Sequence, residues 1–229
     1  MRPATILPLL LVLLAACGRP VTEAEAGFLD TLHGPSLNAR AVRLVDGVLI
    51  GNISHWRPAR PQVACRERIF PAPGADAVRT STAALVLYQT GFFRRDLYGR
   101  DFLDGWPERL PLAHAMLFAH EMTHVWQWQN RALTGYSPLR AANEHVPGGD
   151  PYLFDITRAR AFLDYSDEQQ GALVEEFVCC RALDPGGART RRLYDILRPV
   201  FPAIAAQSPV PRANVALPWA GAETEGICS

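Results

Sequence analysis

His120-Glu121-Met122-Thr123-His124 spell H-E-x-x-H inside the apolar run 112–133. On an α-helix, residues i and i+4 stand one turn apart on the same face. Two imidazoles so placed reach one Zn²⁺ at about 2.0–2.1 Å. Glu121, beside the first of them, is placed to act as general base on a water at that metal, the layout of a zinc-dependent peptidase. The flanks agree with a helix. Leu112, Ala113, Met116, Leu117, Ala119 and Val125 recur at helical spacing, and no Gly or Pro interrupts before Gly135 and Pro138. Pro111 suits the opening turn. The competing reading is a helix with two ordinary histidines and a surface glutamate.

Such a site needs a third ligand. A longer form of the motif would supply a third His at position 130, which is Asn130, so that form is excluded. A Glu from a later helix is the alternative. Ser166 or Asp167 caps the start of a helix through Cys179, with Leu173, Val174, Phe177 and Val178 as its apolar stripe. Glu168 and Glu175 are seven residues apart and share a face. Glu168 is the preferred ligand and Glu175 the alternative; the one that does not bind is placed to hold a ligand histidine in its tautomer. His145 is an outside choice, and a solvated acidic face is the competing reading.

The segments 117–127 and 165–175 carry a resemblance to a bacterial HExxH family of Vgr-related proteins, akin to the DUF4157 group of metallopeptidase-like domains. The Val125-Trp126-Gln127 extension and the Glu168-Gln169-Gln170 run narrow it beyond the pentapeptide. The resemblance implies a zincin-like fold with one zinc ion and names no substrate; on sequence grounds the secretion context suggested by the Vgr name is not transferred. The expected fold class is α+β, mainly helical, with a small sheet beside the motif helix.

Met1 and Arg2 precede an apolar segment, Ile6 to Leu14, too short to span a bilayer and of the length of a signal peptide. It ends in Leu14-Ala15-Ala16-Cys17-Gly18, which resembles a bacterial lipobox. That implies a signal peptide over 1–16, lipid on Cys17, and a chain facing the periplasm from the outer membrane; a plain secretory peptide is the alternative. Cys65, Cys179, Cys180 and Cys228 then remain, an even number in an oxidising compartment. A ring between vicinal cysteines needs a distorted peptide that a helix does not offer, so Cys179 and Cys180 are expected to reach separately to Cys65 and Cys228. A cysteine zinc site lacks any C-x-x-C spacing.

Residues 17–229 fit one domain with a Pro-rich tail. The 23 basic and 23 acidic residues balance, and no basic stripe with interleaved aromatics appears, which leaves nucleic-acid binding without support. Thr22 and Glu25 form a capping box for a helix over 22–32. Residues 42–50 read as a strand pair or a bent strand around Asp46-Gly47, a hairpin turn signal, 51–77 as irregular, and 81–93 as one or two strands, with 84–90 as a candidate edge beside the cleft. A short helix is expected near 157–163 and a last one over 189–200. For the oxyanion of the reaction, Tyr165 is chosen from Tyr152, Tyr165, Arg158 and His145. The expected function is a zinc metallopeptidase acting on a peptide or protein substrate of the cell envelope, with a catalytically idle zinc-binding lipoprotein scaffold as the alternative.

Overall fold

The computed structural model describes residues 18–48, 53–145 and 149–229. In chain order, helix α1 (Glu23–Asp30) leads to strands β1 (Arg43–Asp46) and β2 (Ser54–Pro58), helix α2 (Cys65–Arg68), and strands β3 (Ala77–Ser81), β4 (Ala84–Leu87), β5 (Thr90–Phe93) and β6 (Leu110–Pro111). Helices α3 (Leu112–Gln129), α4 (Arg131–Thr134), α5 (Pro138–Asn143), α6 (Asp167–Leu183) and α7 (Ala188–Leu197) follow, and β7 (Val215–Ala216) closes the chain. Among the described residues the fold is a mixture of helices and three small sheets, ordered β1-β5-β4, β2-β3 and β6-β7.

The architecture centres on two helices. Most of α3 is buried, with His120 to Gln127 buried on every face, and α6 is buried still more completely. A helix apolar all round belongs in a core, and here α3 and α6 pack against each other, with β4 and β5 against α3. Phe93, Phe102 and Phe118 form one aromatic cluster and Trp126, Phe162 and Phe201 another. Both fix α3 along its length.

The capping box at α1 forms as read: the Thr22 hydroxyl accepts from Glu25 N at 3.1 Å, and Thr22 N donates to the Glu25 carboxylate at 2.9 Å. Helix α6 starts with the same device, Ser166 with Gln169. Other readings change. Asp46-Gly47 makes no hairpin; β1 pairs in parallel with β5, and Gly47 N carries that pairing on to the Phe93 carbonyl at 2.7 Å. Residues 49–50 lie outside the described residues. Part of 51–77 is ordered as β2 and α2. The motif helix stops at Gln129, because the Asn130 side chain takes the Trp126 carbonyl at 2.9 Å and bends the chain before α4. Residues 157–161 form no helix; only a 3₁₀ turn at Phe162–Asp164 appears there. The candidate edge survives in part, since β4 is an outer strand of its sheet.

One buried titratable group gives a pH signature. His33 is 1 % exposed, with Nε2 3.1 Å from the Thr123 hydroxyl, near the equally buried Arg181. Burial, and then the positive charge of Arg181, push the His33 pKa down to about 3. The unfolded chain binds this proton near pH 6.5 and the folded chain does not, so stability falls as pH drops through that window. At 1.36 kcal/mol per unit the loss by pH 5 is on the order of 2 kcal/mol. His120 and His124, whose pKa values are raised, act in the opposite sense over the same window, so the signature is a difference: between pH 8 and pH 5 the parent should lose more stability to urea than His33→Gln does, and equal changes in the two would remove His33 as the source.

Candidate metal centre

Helix α3 sets the His120 and His124 rings one turn apart, both facing α6. Their Nε2 atoms are 3.2 Å apart, and each lies 3.3 Å from Glu168 Oε2. Donors around a tetrahedral zinc at about 2.0–2.1 Å stand roughly 3.3–3.4 Å from one another. The three atoms therefore match three corners of such a site, in a donor set of two imidazoles and one carboxylate. All three residues are buried.

The opposite ring nitrogens are occupied by other groups. His124 Nδ1 lies 2.8 Å from Gln127 Oε1, and the Gln127 amide donates to the Asp167 carbonyl and to Gln170 Oε1. His120 Nδ1 faces Glu175 Oε2 at 3.4 Å. Acceptors at Nδ1 keep the proton there and turn the Nε2 lone pairs inward. Glu168 thus stands at the donor triangle, and Glu175 stands behind His120.

The helix that carries Glu168 is braced. The Glu144 carboxylate accepts from Asp167 N at 2.8 Å and Glu168 N at 3.0 Å, and Arg140 forms a fork on Asp167. Gly171 lies directly under His120: a Cβ there would fall 2.8–3.0 Å from three ring atoms. Only glycine lets α6 approach the ring this closely.

Electrostatics draw positive charge to this point. Burial alone would lower the His120 pKa, but Glu168 and Glu175 outweigh it and carry it up to about 10. The His124 pKa is also raised, against its burial, by Glu168. In turn the imidazoles hold the Glu168 carboxyl far below the usual carboxylate range despite its burial. Glu121 is buried, forms no hydrogen bond or ion pair among the described residues, and has its carboxyl pKa raised by burial.

Of the other residues singled out from the sequence, Tyr152 and His145 gather at the centre. The Tyr152 ring packs 5.6 Å from that of His120, its hydroxyl is 3.0 Å from His145 Nε2, and His145 Nε2 is 3.8 Å from Glu168 Oε1. Burial pushes the Tyr152 pKa well up, which keeps its hydroxyl protonated. Tyr165 does not join them. It packs into the core at the entry to α6, its hydroxyl donating to the Asp155 carbonyl at 3.0 Å. This corrects the choice of Tyr165 as oxyanion donor. Arg158 is exposed and pairs with Asp155. Gly171, Glu144 and Arg66 have no place in the sequence reading, and Gln127 enters it only through the resemblance; Gly171 carries a signal, since a helix-interior glycine costs about 1 kcal/mol and calls for a reason.

Cys65 is bonded to Cys179 and Cys180 to Cys228, so the neighbouring cysteines of α6 reach separate partners. These bonds leave no thiolates for a cysteine metal site. The expected signal peptide and lipid-bearing Cys17 lie outside the described residues. No helix among the described residues is long and apolar enough to cross a membrane.

No family model matches the chain. It is similar to the type VI secretion system spike protein VgrG2b of Pseudomonas aeruginosa, 28% identical over 166 residues that make up 71% of this chain and 13% of the relative. The chain thus spans a small part of that protein's length. Its structure is similar to the effector domain of Pseudomonas aeruginosa VgrG2b, with a TM-score of 0.51 and 24% identity over 80% of this chain and 85% of that one. These findings correct the family expectation: the similarity lies to the effector domain of a secretion spike and not to a DUF4157-like zincin family. They also correct the function expected from it, a metallopeptidase resident in the cell envelope or an idle scaffold, and give the lipoprotein and membrane readings no support. The physical reason is the brevity of the signal. One helical turn with two imidazoles specifies a metal-binding face, which unrelated chains reach, and says nothing of delivery or location.

Proposed function

We propose that the chain is an effector-type domain whose chemistry is that of a single-zinc hydrolase. The observation that carries the reading is the donor triangle of His120, His124 and Glu168, with its outer nitrogens occupied and the buried Glu121, unpaired among the described residues, beside it. A helix clasped to a carboxylate-bearing helix, with a sheet edge alongside, supports a zincin-like description of the α+β fold. Similarity to the VgrG2b effector domain supports the effector role, and two disulfides support work in an oxidising compartment.

When bound, zinc supplies Lewis acidity to a substrate carbonyl and acidifies a water. The chain does the rest. Glu121, its proton affinity raised by burial, takes the water proton at its free carboxylate and returns it to the leaving group. Glu175 and Gln127 hold the two rings in the tautomer that binds. Tyr152, whose hydroxyl is held by His145 Nε2, supplies a polar hydrogen beside the triangle for oxygen charge that develops on the substrate.

Metal analysis of the purified chain tests this reading. The expected result is close to one equivalent of zinc in the parent and a marked loss in Glu168→Ala. Expression in the periplasm of a bacterial host should arrest growth in the parent and not in Glu168→Ala. A parent without zinc, or equal growth arrest by both proteins, sinks the proposal.

A further inference from the structure

We infer that Arg66 is a positioning residue of the metal centre, pinned by the Cys65–Cys179 disulfide, so that the centre is completed only after that bond has closed. The inference rests on the zinc reading above. Arg66 belongs to α2, and its side chain is 4% exposed. Its guanidinium pairs with its neighbour Glu67 at 2.8 Å and does two further things. One nitrogen stands 3.4 Å from Glu175 Oε2, the same oxygen that faces His120 Nδ1 at 3.4 Å. Another donates at 3.0 Å to the Tyr152 carbonyl, and the Tyr152 ring lies against His120. Both groups that set the outer side of the His120 ring are therefore held by one side chain. A planar fork with several fixed donors suits that task; an ammonium on a flexible stem does not.

Helix α2 cannot hold Arg66 there alone. It is four residues long, and Ala64 at its N-cap offers no side-chain bond. A single turn is not stable by itself in water. Its orphan donors are met from α6 instead: Cys65 N and Arg66 N donate to the two oxygens of the buried Glu176 carboxylate at 2.9 and 3.1 Å. The Cys65–Cys179 bond joins the same two helices covalently. Closing it takes two protons and two electrons from the thiols and passes them to a disulfide-bearing oxidant, which leaves as its dithiol. The second bond, Cys180–Cys228, fastens the tail to α6; it touches none of Arg66, Glu175 and Tyr152, and reaches α2 only indirectly, through Cys180 Sγ 3.8 Å from Glu176 Oε1 and through the Ile227 carbonyl, which accepts from Arg68 at 3.0 Å.

Zinc affinity of the full chain, read by competition with a chromogenic chelator, and the visible spectrum of the Co²⁺-loaded protein test this. Arg66→Met should weaken zinc about 10- to 100-fold and shift the Co²⁺ bands, as loss of an outer hydrogen-bonding partner does. Arg66→Lys should recover part of the loss, and it decides the matter if far-ultraviolet circular dichroism shows Arg66→Met unfolded. Cys65→Ala/Cys179→Ala should resemble Arg66→Met, whereas Cys180→Ala/Cys228→Ala, which reaches α2 only through Glu176 and the tail, should cost markedly less affinity. Parental affinity and spectrum in both Arg66 variants, with zinc bound by the parent, overturn this inference alone. Equal losses in the two cysteine pairs overturn the pinning. A parent that binds no zinc removes the centre and this inference with it.

Discussion

Glu121→Gln should keep one equivalent of zinc and lose about 10²- to 10⁴-fold in turnover, the usual contribution of a positioned general base. That is a barrier increase of roughly 3 to 5 kcal/mol. The split follows from geometry. Glu121 is bonded to none of His120, His124 and Glu168 among the described residues, and the donor triangle stands without it. Glutamine keeps the shape of the side chain and removes only the acceptor for a proton. Growth arrest on periplasmic expression should disappear, while bound zinc, read by atomic emission, should not change. Loss of zinc in the variant would make Glu121 part of the binding shell. Growth arrest equal to the parent's would mean that another group accepts the proton.

The parts of this centre that one helix encodes could be read from the sequence, and the parts that two segments share could not. His120 and His124 are one turn apart on any helix, and the apolar run around them leaves little choice but a helix. Glu168 and Glu175 were legible for the same reason, and Ser166 with Gln169 marks where their helix begins. The separation of Cys179 and Cys180 onto different partners follows from covalent geometry. Arg66 had no such signal: it lies on a one-turn helix that exists because Glu176 and a disulfide hold it. The partner of β1 was equally hidden, because parallel pairing with β5 depends on a distant segment and not on the local Asp46-Gly47 turn chemistry. Tyr165 was chosen for nearness to Glu168 in the chain. Tyr152, earlier in the chain and farther from Glu168 in sequence but held in place by Arg66, is the tyrosine that reaches the centre.

Replacing all four disulfide-bonded cysteines by alanine should prevent the chain from holding its fold at 37 °C. The bonds close long loops, with sequence separations of 114 for Cys65–Cys179 and 48 for Cys180–Cys228. Loop-closure entropy assigns each roughly 4 to 5 kcal/mol in the unfolded chain, and measured losses on removing a native bond run at about 2 to 5 kcal/mol. A domain has a total margin of only about 5 to 15 kcal/mol, so losing both bonds consumes most of it. What they replace is local structure that cannot stand alone: the single turn of α2, and a tail whose last residues are tied to α6 through Cys228 and through Cys228 N on the Asp184 carboxylate at 3.0 Å. Removing one pair should lower the urea midpoint at pH 8 clearly, the Cys65–Cys179 pair at least as much as the other, and removing both should leave no cooperative transition at 37 °C. Since the bonds act mainly on the unfolded chain, saturating zinc should return part of the lost stability wherever the centre still assembles. A four-alanine chain that melts like the parent would show that the core around α3 and α6 suffices without covalent help.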